Sequence, residues 1–128
     1  MPGKEVILAK GRGPTETPLT LASVFGNLVF VAGITGVNPT TGQLGKDVKE
    51  QTKYSLERVG RILEEAGSSL DDVLTADVYL KNQEDWQMFG EDWTHAFPSN
   101  RPSRIVVITP VAAGVLVEIK VIACIPIE

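Results

Sequence analysis

Two charged residues interrupt apolar stretches near the end of this chain, and their chemistries are complementary. Arg104 opens the run Arg-Ile-Val-Val-Ile, and Glu118 falls inside Val-Leu-Val-Glu-Ile-Lys-Val-Ile. A guanidinium in such a place can hold a carboxylate through two parallel N–H donors. A nearby glutamate can take a proton from water. Side chains alternate along a strand, so Arg104 shares a face with Val106 and Ile108, and Glu118 with Lys120, Ile122 and Cys124. If the two strands pair antiparallel about residues 110–114, a register with Arg104 opposite Glu118 or Lys120 gathers all three on one face. An odd shift separates them. Two readings stay open at this point: a structural cross-strand ion pair, or a carboxylate clamp beside a base.

Other chemistries fit less well. His95 is the single histidine and lies on an aromatic-rich helix without cysteines or clustered carboxylates around it. That disfavours a metal centre and a Ser-His-Asp triad. Gly11-Arg-Gly13 and Gly33-Ile-Thr-Gly36 match neither a phosphate-binding loop nor a dinucleotide fingerprint. The lone Cys124 sits in an apolar run, as a buried inert thiol does, and cannot form an intramolecular disulfide. Formal net charge is −4, which argues against nucleic-acid binding. The N-terminal residues lack the apolar core of a signal peptide, and no stretch reaches the roughly 18 apolar residues of a membrane span. A cytoplasmic protein is the expectation.

The elements that must position Arg104 and Glu118 follow from periodicity. The 128 residues suit one domain spanning 1–128. Strands are expected at Glu5–Ala9, Leu19–Phe25 and Asn27–Ala32, the last two joined at Gly26-Asn27, with 33–43 as loop. Asp47 caps a helix with Glu50 three residues on, and Gly67 ends it. Its buried stripe reads Val48, Thr52, Leu56, Val59, Ile62, Leu63 and Ala66. Val73–Lys81 alternates, with Leu74, Ala76, Val78 and Leu80 on one face. Asn82 can cap a second helix whose stripe is Trp86, Phe89, Trp93 and Phe97, read as core, and Pro98 stops it. Ser103–Thr109 and Val115–Ile125 complete the order β-β-β-α-β-α-β-β. The fold class is α+β: one mixed, mainly antiparallel sheet of about six strands with two helices on one face.

At this point the chain resembles the reactive-intermediate deaminase (RidA/YjgF) family over nearly its full length. The matching stretches are Gly26-Asn-Leu-Val-Phe-Val-Ala-Gly33, Asn38-Pro-Thr-Thr-Gly42, Leu63-Glu-Glu-Ala-Gly67, Val73 to Leu80, Arg101-Pro-Ser-Arg104 and Gly114-Val-Leu-Val-Glu-Ile119. The resemblance implies a chorismate-mutase-like protomer that forms a homotrimer with clefts between subunits. It further implies hydrolysis of enamines and imines to 2-keto acids and ammonia, without metal or organic cofactor. In that frame Arg104 holds the substrate carboxylate, Glu118 positions water, and Gly33 lines the cleft. The sequence departs from the family at four other cleft positions. Leu19 stands for a tyrosine, Ala32 for a serine, Gly90 for an asparagine and Val106 for a cysteine. The cleft is therefore expected to be drier than in the characterised deaminases. The alternative within the same family is a non-catalytic binder of small carboxylates that keeps Arg104 as its anchor.

Overall fold

The computed structural model describes residues 3–8 and 20–127. Its strands are β1 (Glu5–Leu8), β2 (Thr20–Phe25), β3 (Leu28–Val31), β4 (Ile34–Thr35), β5 (Val73–Leu80), β6 (Ser103–Ile108) and β7 (Val117–Cys124). Two helices, α1 (Val48–Glu65) and α2 (Trp86–Ala96), complete it. The strands form one mixed sheet in the order β1-β2-β3-β7-β5-β6, with β4 also paired to β7. Every pairing is antiparallel except β5 with β6. The expected α+β architecture, with both helices on one face, is therefore the observed one.

Local chemistry explains the elements. Gly26 takes φ 60° between Phe25 and Leu28, which pair directly, so β2 and β3 need only a two-residue turn. At the start of α1 the Asp47 carboxylate accepts from the Glu50 N–H at 2.9 Å, and Glu50 accepts in return from the Lys46 N–H at 3.2 Å. Gly67, at φ 87°, lets the Ser68 N–H reach back to the Leu63 carbonyl at 2.8 Å and closes the helix. A short 3₁₀ turn, Gln83–Asp85, stands between Asn82 and α2, so Asn82 does not cap that helix.

One apolar layer joins helices to sheet. Val29, Val31, Ala76, Val78, Leu80, Val117, Ile119, Val121 and Ala123 meet Leu56, Val59, Leu63, Phe89, Trp93 and Phe97, all of them buried. Two expected core positions fall outside it. Trp86 is exposed at the first turn of α2. Leu74 is also exposed, because a register shift between Val73 and Thr75 turns Val73 inward instead.

Among the described residues, the opposite face of the sheet carries no helix. Cross-strand neighbours Val6, Ser23, Phe30 and Ile122 form one row there, and Tyr79 links Glu118 to Val107 in another. Phe30, Ile105 and Val107 are exposed on that side, Ile105 to 57%. These apolar side chains share the face with Ser23, Tyr79 and Glu118.

The segment 33–43 was expected to be loop, yet it contains a short strand, and the residues that follow it are tied down. β4 pairs Ile34 with Ile119 and Thr35 with Glu118. Gln51, 1% exposed, donates to the carbonyls of Gly45 (2.9 Å) and Gly114 (3.2 Å) and accepts from the Leu116 N–H (2.7 Å). One α1 side chain thus fastens two loops, including the one that leads into β7. Gln51→Ala leaves these buried groups unsatisfied and is expected to cost about 3 kcal/mol, read as a lower urea midpoint at unchanged slope.

Candidate functional site

Arg104 lies on β6, the edge strand. Its β5 partner is Ala76, 1% exposed, so the Arg104 side chain stands on the helix face. There the guanidinium carbon sits over the rings of Phe89 (5.4 Å to the centroid) and Trp93 (5.3 Å). Partial burial lowers its pKa from the ordinary arginine value, and a guanidinium still keeps its proton at neutral pH. Among the described residues no hydrogen-bond acceptor or carboxylate engages it. Val106 follows on the same face, half-buried against the core. Gly90 is the next residue after Phe89 on α2, and open space surrounds the place a Cβ would occupy. Arg101, of the Arg-Pro-Ser-Arg motif, donates to the Phe97 carbonyl at 2.7 Å and fastens the end of α2 just ahead of β6.

Glu118 lies on β7 with its side chain on the open face, opposite Tyr79 on β5 and Thr35 on β4. It is half-buried, and no donor engages its carboxylate among the described residues. Gly33 explains how the carboxylate fits. A Cβ at position 33 would collide with Glu118 Oε2. Only a glycine leaves that oxygen its place. Ala32, the preceding residue, packs against the core and donates its N–H to the Leu21 carbonyl at 2.8 Å. Gly33→Ala is expected to push the flexible carboxylate aside with little loss of stability, under about 1 kcal/mol. A thermal melt checks the fold, and turnover on any substrate that uses Glu118 should drop.

The arrangement of these residues corrects the sequence expectation. β6 and β7 are not a hairpin; β5 lies between them, parallel to β6 and antiparallel to β7. Arg104 and Glu118 therefore point to opposite faces of the sheet within one chain, and a cross-strand ion pair between them does not form. Lys120 is no partner either. Its ammonium donates to the Val31 carbonyl at 3.0 Å, and no ion pair joins it to Glu118. The structure brings Gly33 to Glu118, and Val106, Phe89 and Trp93 to Arg104. Leu19 lies outside the described residues.

Phe89 and Trp93 were read as core alone. They are core, and Trp93 stacks on Phe97 at 4.7 Å, but they also seat the arginine. The signal for this was the strand-helix-strand order: a parallel β5-α2-β6 unit lays its helix across its own two strands. His95 is exposed and lines a concavity of about 880 Å³ between α1 and α2, together with Lys49, Lys53, Tyr54 and Asp92. Burial raises the Asp92 pKa, and one of its oxygens is enclosed without a hydrogen-bond donor. Neither Arg104 nor Glu118 reaches that groove. Among the described residues no group of three or more His, Cys, Asp or Glu side chains could hold a metal ion. No helix among them is long and apolar enough to cross a membrane.

The family model described as endoribonuclease L-PSP matches residues 13–125. The chain belongs to that family, the YjgF/RidA family. A RutC family protein of Pyrococcus abyssi is 39% identical over 122 residues, 94% of this chain and 96% of the relative. The 3-aminoacrylate deaminase RutC of Acinetobacter baylyi is 33% identical over 123 residues, 94% of this chain and 97% of that one. The crystal structure of RidA from an Antarctic Psychrobacter matches with a TM-score of 0.82 at 28% identity, covering 93% and 97% of the two chains. The YjgF/RidA family thus includes named deaminases, and this chain shares its fold.

Proposed function

We propose that this YjgF/RidA protein hydrolyses reactive 2-imino acids to 2-keto acids and ammonia, at sites each shared by two chains of a homotrimer. The observation that carries the reading is a pair of charged groups with no polar partner among the described residues. Arg104 presents its N–H donors at an open sheet edge, and Glu118 presents its carboxylate on the uncovered face. Arg104 is exposed and Glu118 half-buried, so both can exchange water for a ligand. One chain cannot bring them together, because they stand on opposite faces. A neighbour whose β6 edge lies against the open face would do so, and would cover Phe30, Ile105 and Val107 as well.

The chemistry needs little more. The Arg104 guanidinium would hold the carboxylate of the imino acid bidentately. Glu118 would take a proton from a water molecule as its oxygen bonds to the imine carbon and pass it to the imine nitrogen, giving a neutral carbinolamine. Glu118 would then move the carbinolamine hydroxyl proton to that nitrogen as the C–N bond breaks, so that ammonia leaves and the C=O bond of the keto acid forms. The name of the family model suggests RNA cleavage, but a net charge of −4 offers phosphates little attraction.

The test is release of keto acid from imines generated in place by an amino-acid oxidase. Acceleration supports a deaminase. An unchanged rate with thermal stabilisation by keto acids would make the protein a carboxylate binder instead. Light scattering should give about three times 13.8 kDa, and a monomer at micromolar concentration would remove the shared site. Val106, Ala32 and the open space at Gly90 should make the cleft walls apolar. Imines from leucine or methionine are expected to outrank 2-aminoacrylate from serine in catalytic efficiency, each buried methylene contributing about 0.8 kcal/mol. A preference for the small substrate would show that these positions do not set specificity.

A further inference from the structure

The Arg104 guanidinium lies almost equally distant from two aromatic rings of α2, 5.4 Å from the Phe89 centroid and 5.3 Å from that of Trp93. Those rings are four residues apart, one helical turn, with centroids separated by 5.6 Å and planes tilted by 40°. Both are almost fully enclosed, at 1% and 3% exposure, so neither can turn away from the arginine without disturbing the core. Arginines are more often steered by a neighbouring carboxylate. Here none is present among the described residues, and the aromatic faces take its place.

We infer that Phe89 and Trp93 are positioning residues, a fixed aromatic seat that orients Arg104 for an anionic ligand without neutralising it. A ring face attracts a cation through its quadrupole but carries no lone pair that an N–H could use. The seat therefore limits the conformations of a long, flexible side chain while leaving all of its donors for the incoming ligand. A carboxylate partner would have claimed two donors and cancelled the charge. Less side-chain freedom remains to be lost on binding, so a small anion binds more tightly. The seat also accounts for the two buried rings of α2 that face the one cation of β6. It favours ligands that offer a planar, two-oxygen anion at the open edge, and it gives no counter-ion to neutral ones.

The inference rests on the reading of Arg104 as a carboxylate anchor, and the experiment separates the two. Binding of pyruvate is measured by calorimetry on the intact oligomer, with melting temperature and size recorded for each variant. Phe89→Leu keeps apolar bulk but loses the ring, and its Kd for pyruvate should rise about 3- to 10-fold. Trp93→Phe keeps a ring face and should stay within about 2-fold of the parent. Arg104→Ala should abolish measurable binding. A Phe89→Leu protein that melts lower yet binds pyruvate as the parent does would overturn the seat and leave Phe89 as core alone. Pyruvate binding that survives Arg104→Ala, or is absent from the parent, would sink the anchor reading and not the seat. A measurement on the unaltered protein covers those cases and any failure of Phe89→Leu to fold. In an arginine-labelled NMR spectrum the Arg104 Cδ protons should lie upfield of an exposed arginine through the ring currents. An ordinary position would overturn the seat whatever the variants do.

Discussion

Arg104→Lys should reduce kcat/KM on 2-imino acids by about 10- to 150-fold while the oligomer and its melting temperature change little. The size follows from the loss of a bidentate, charge-assisted pair of hydrogen bonds, about 1.5–3 kcal/mol. An ammonium is a point charge with no fork, and from the same backbone position it cannot grip both carboxylate oxygens in one plane. It can still rest against the rings of Phe89 and Trp93, so the packing around β6 should survive. Arg104 is exposed and makes no ion pair among the described residues, which is why the melting temperature should hold. Steady-state kinetics with imines generated in place, alongside a thermal melt, provide the check. A folded variant with parental catalytic efficiency would show that the carboxylate is held elsewhere. A variant that melts early with normal specific turnover would make Arg104 a structural residue.

Much of the fold was legible because its signals are local. Asp47, Glu50 and Gly67 each satisfy backbone groups within a few residues, so the bounds of α1 could be read from the chain. The alternation in β7 sorted Glu118 and Lys120 from Val117, Ile119 and Val121, and the structure keeps that sorting. Non-local features were harder. β4 is a two-residue strand, too short for any period to show, and it exists because β7 offers it a partner. Leu74 looked inward because alternation assumes an unbroken ladder, and the shift at Val73–Thr75 breaks it.

The candidate site was legible as residues and not as an arrangement. Arg104 and Glu118 stood out as charges within apolar strands, and both occupy strands as expected. Their relation depended on which strands pair. A short connection at 110–114 suggested a hairpin, whereas α2 delivers β6 to the far side of β5 as a parallel partner. A parallel connection requires a crossover of a dozen or more residues, and the segment containing α2 provides one. The strand-helix-strand order therefore outweighed the short loop. Placing Arg104 over α2 follows from the same step, since the crossover helix covers the face on which Ala76, Val78 and Val106 lie.

Glu118→Gln should lower kcat by about 100- to 1000-fold with KM changed far less, the range expected for losing a positioned proton acceptor. The amide is close in size to the carboxylate, so the close approach over Gly33 is retained and the fold has no reason to respond. Because no donor engages Glu118 among the described residues, the change breaks no hydrogen bond or ion pair there. What it removes is the ability to take a proton from water as the new C–O bond forms. A loss confined to kcat is the mark of an interaction made in the transition state and not in substrate binding. Gly33→Ala offers a useful comparison, since it keeps the carboxylate but moves it; its effect should lie between those of the parent and Glu118→Gln. Together the two variants separate the presence of the proton acceptor from its placement. Turnover that is unchanged in Glu118→Gln, with imine hydrolysis by the parent established, would leave water activation to another group and reduce Glu118 to a ligand contact.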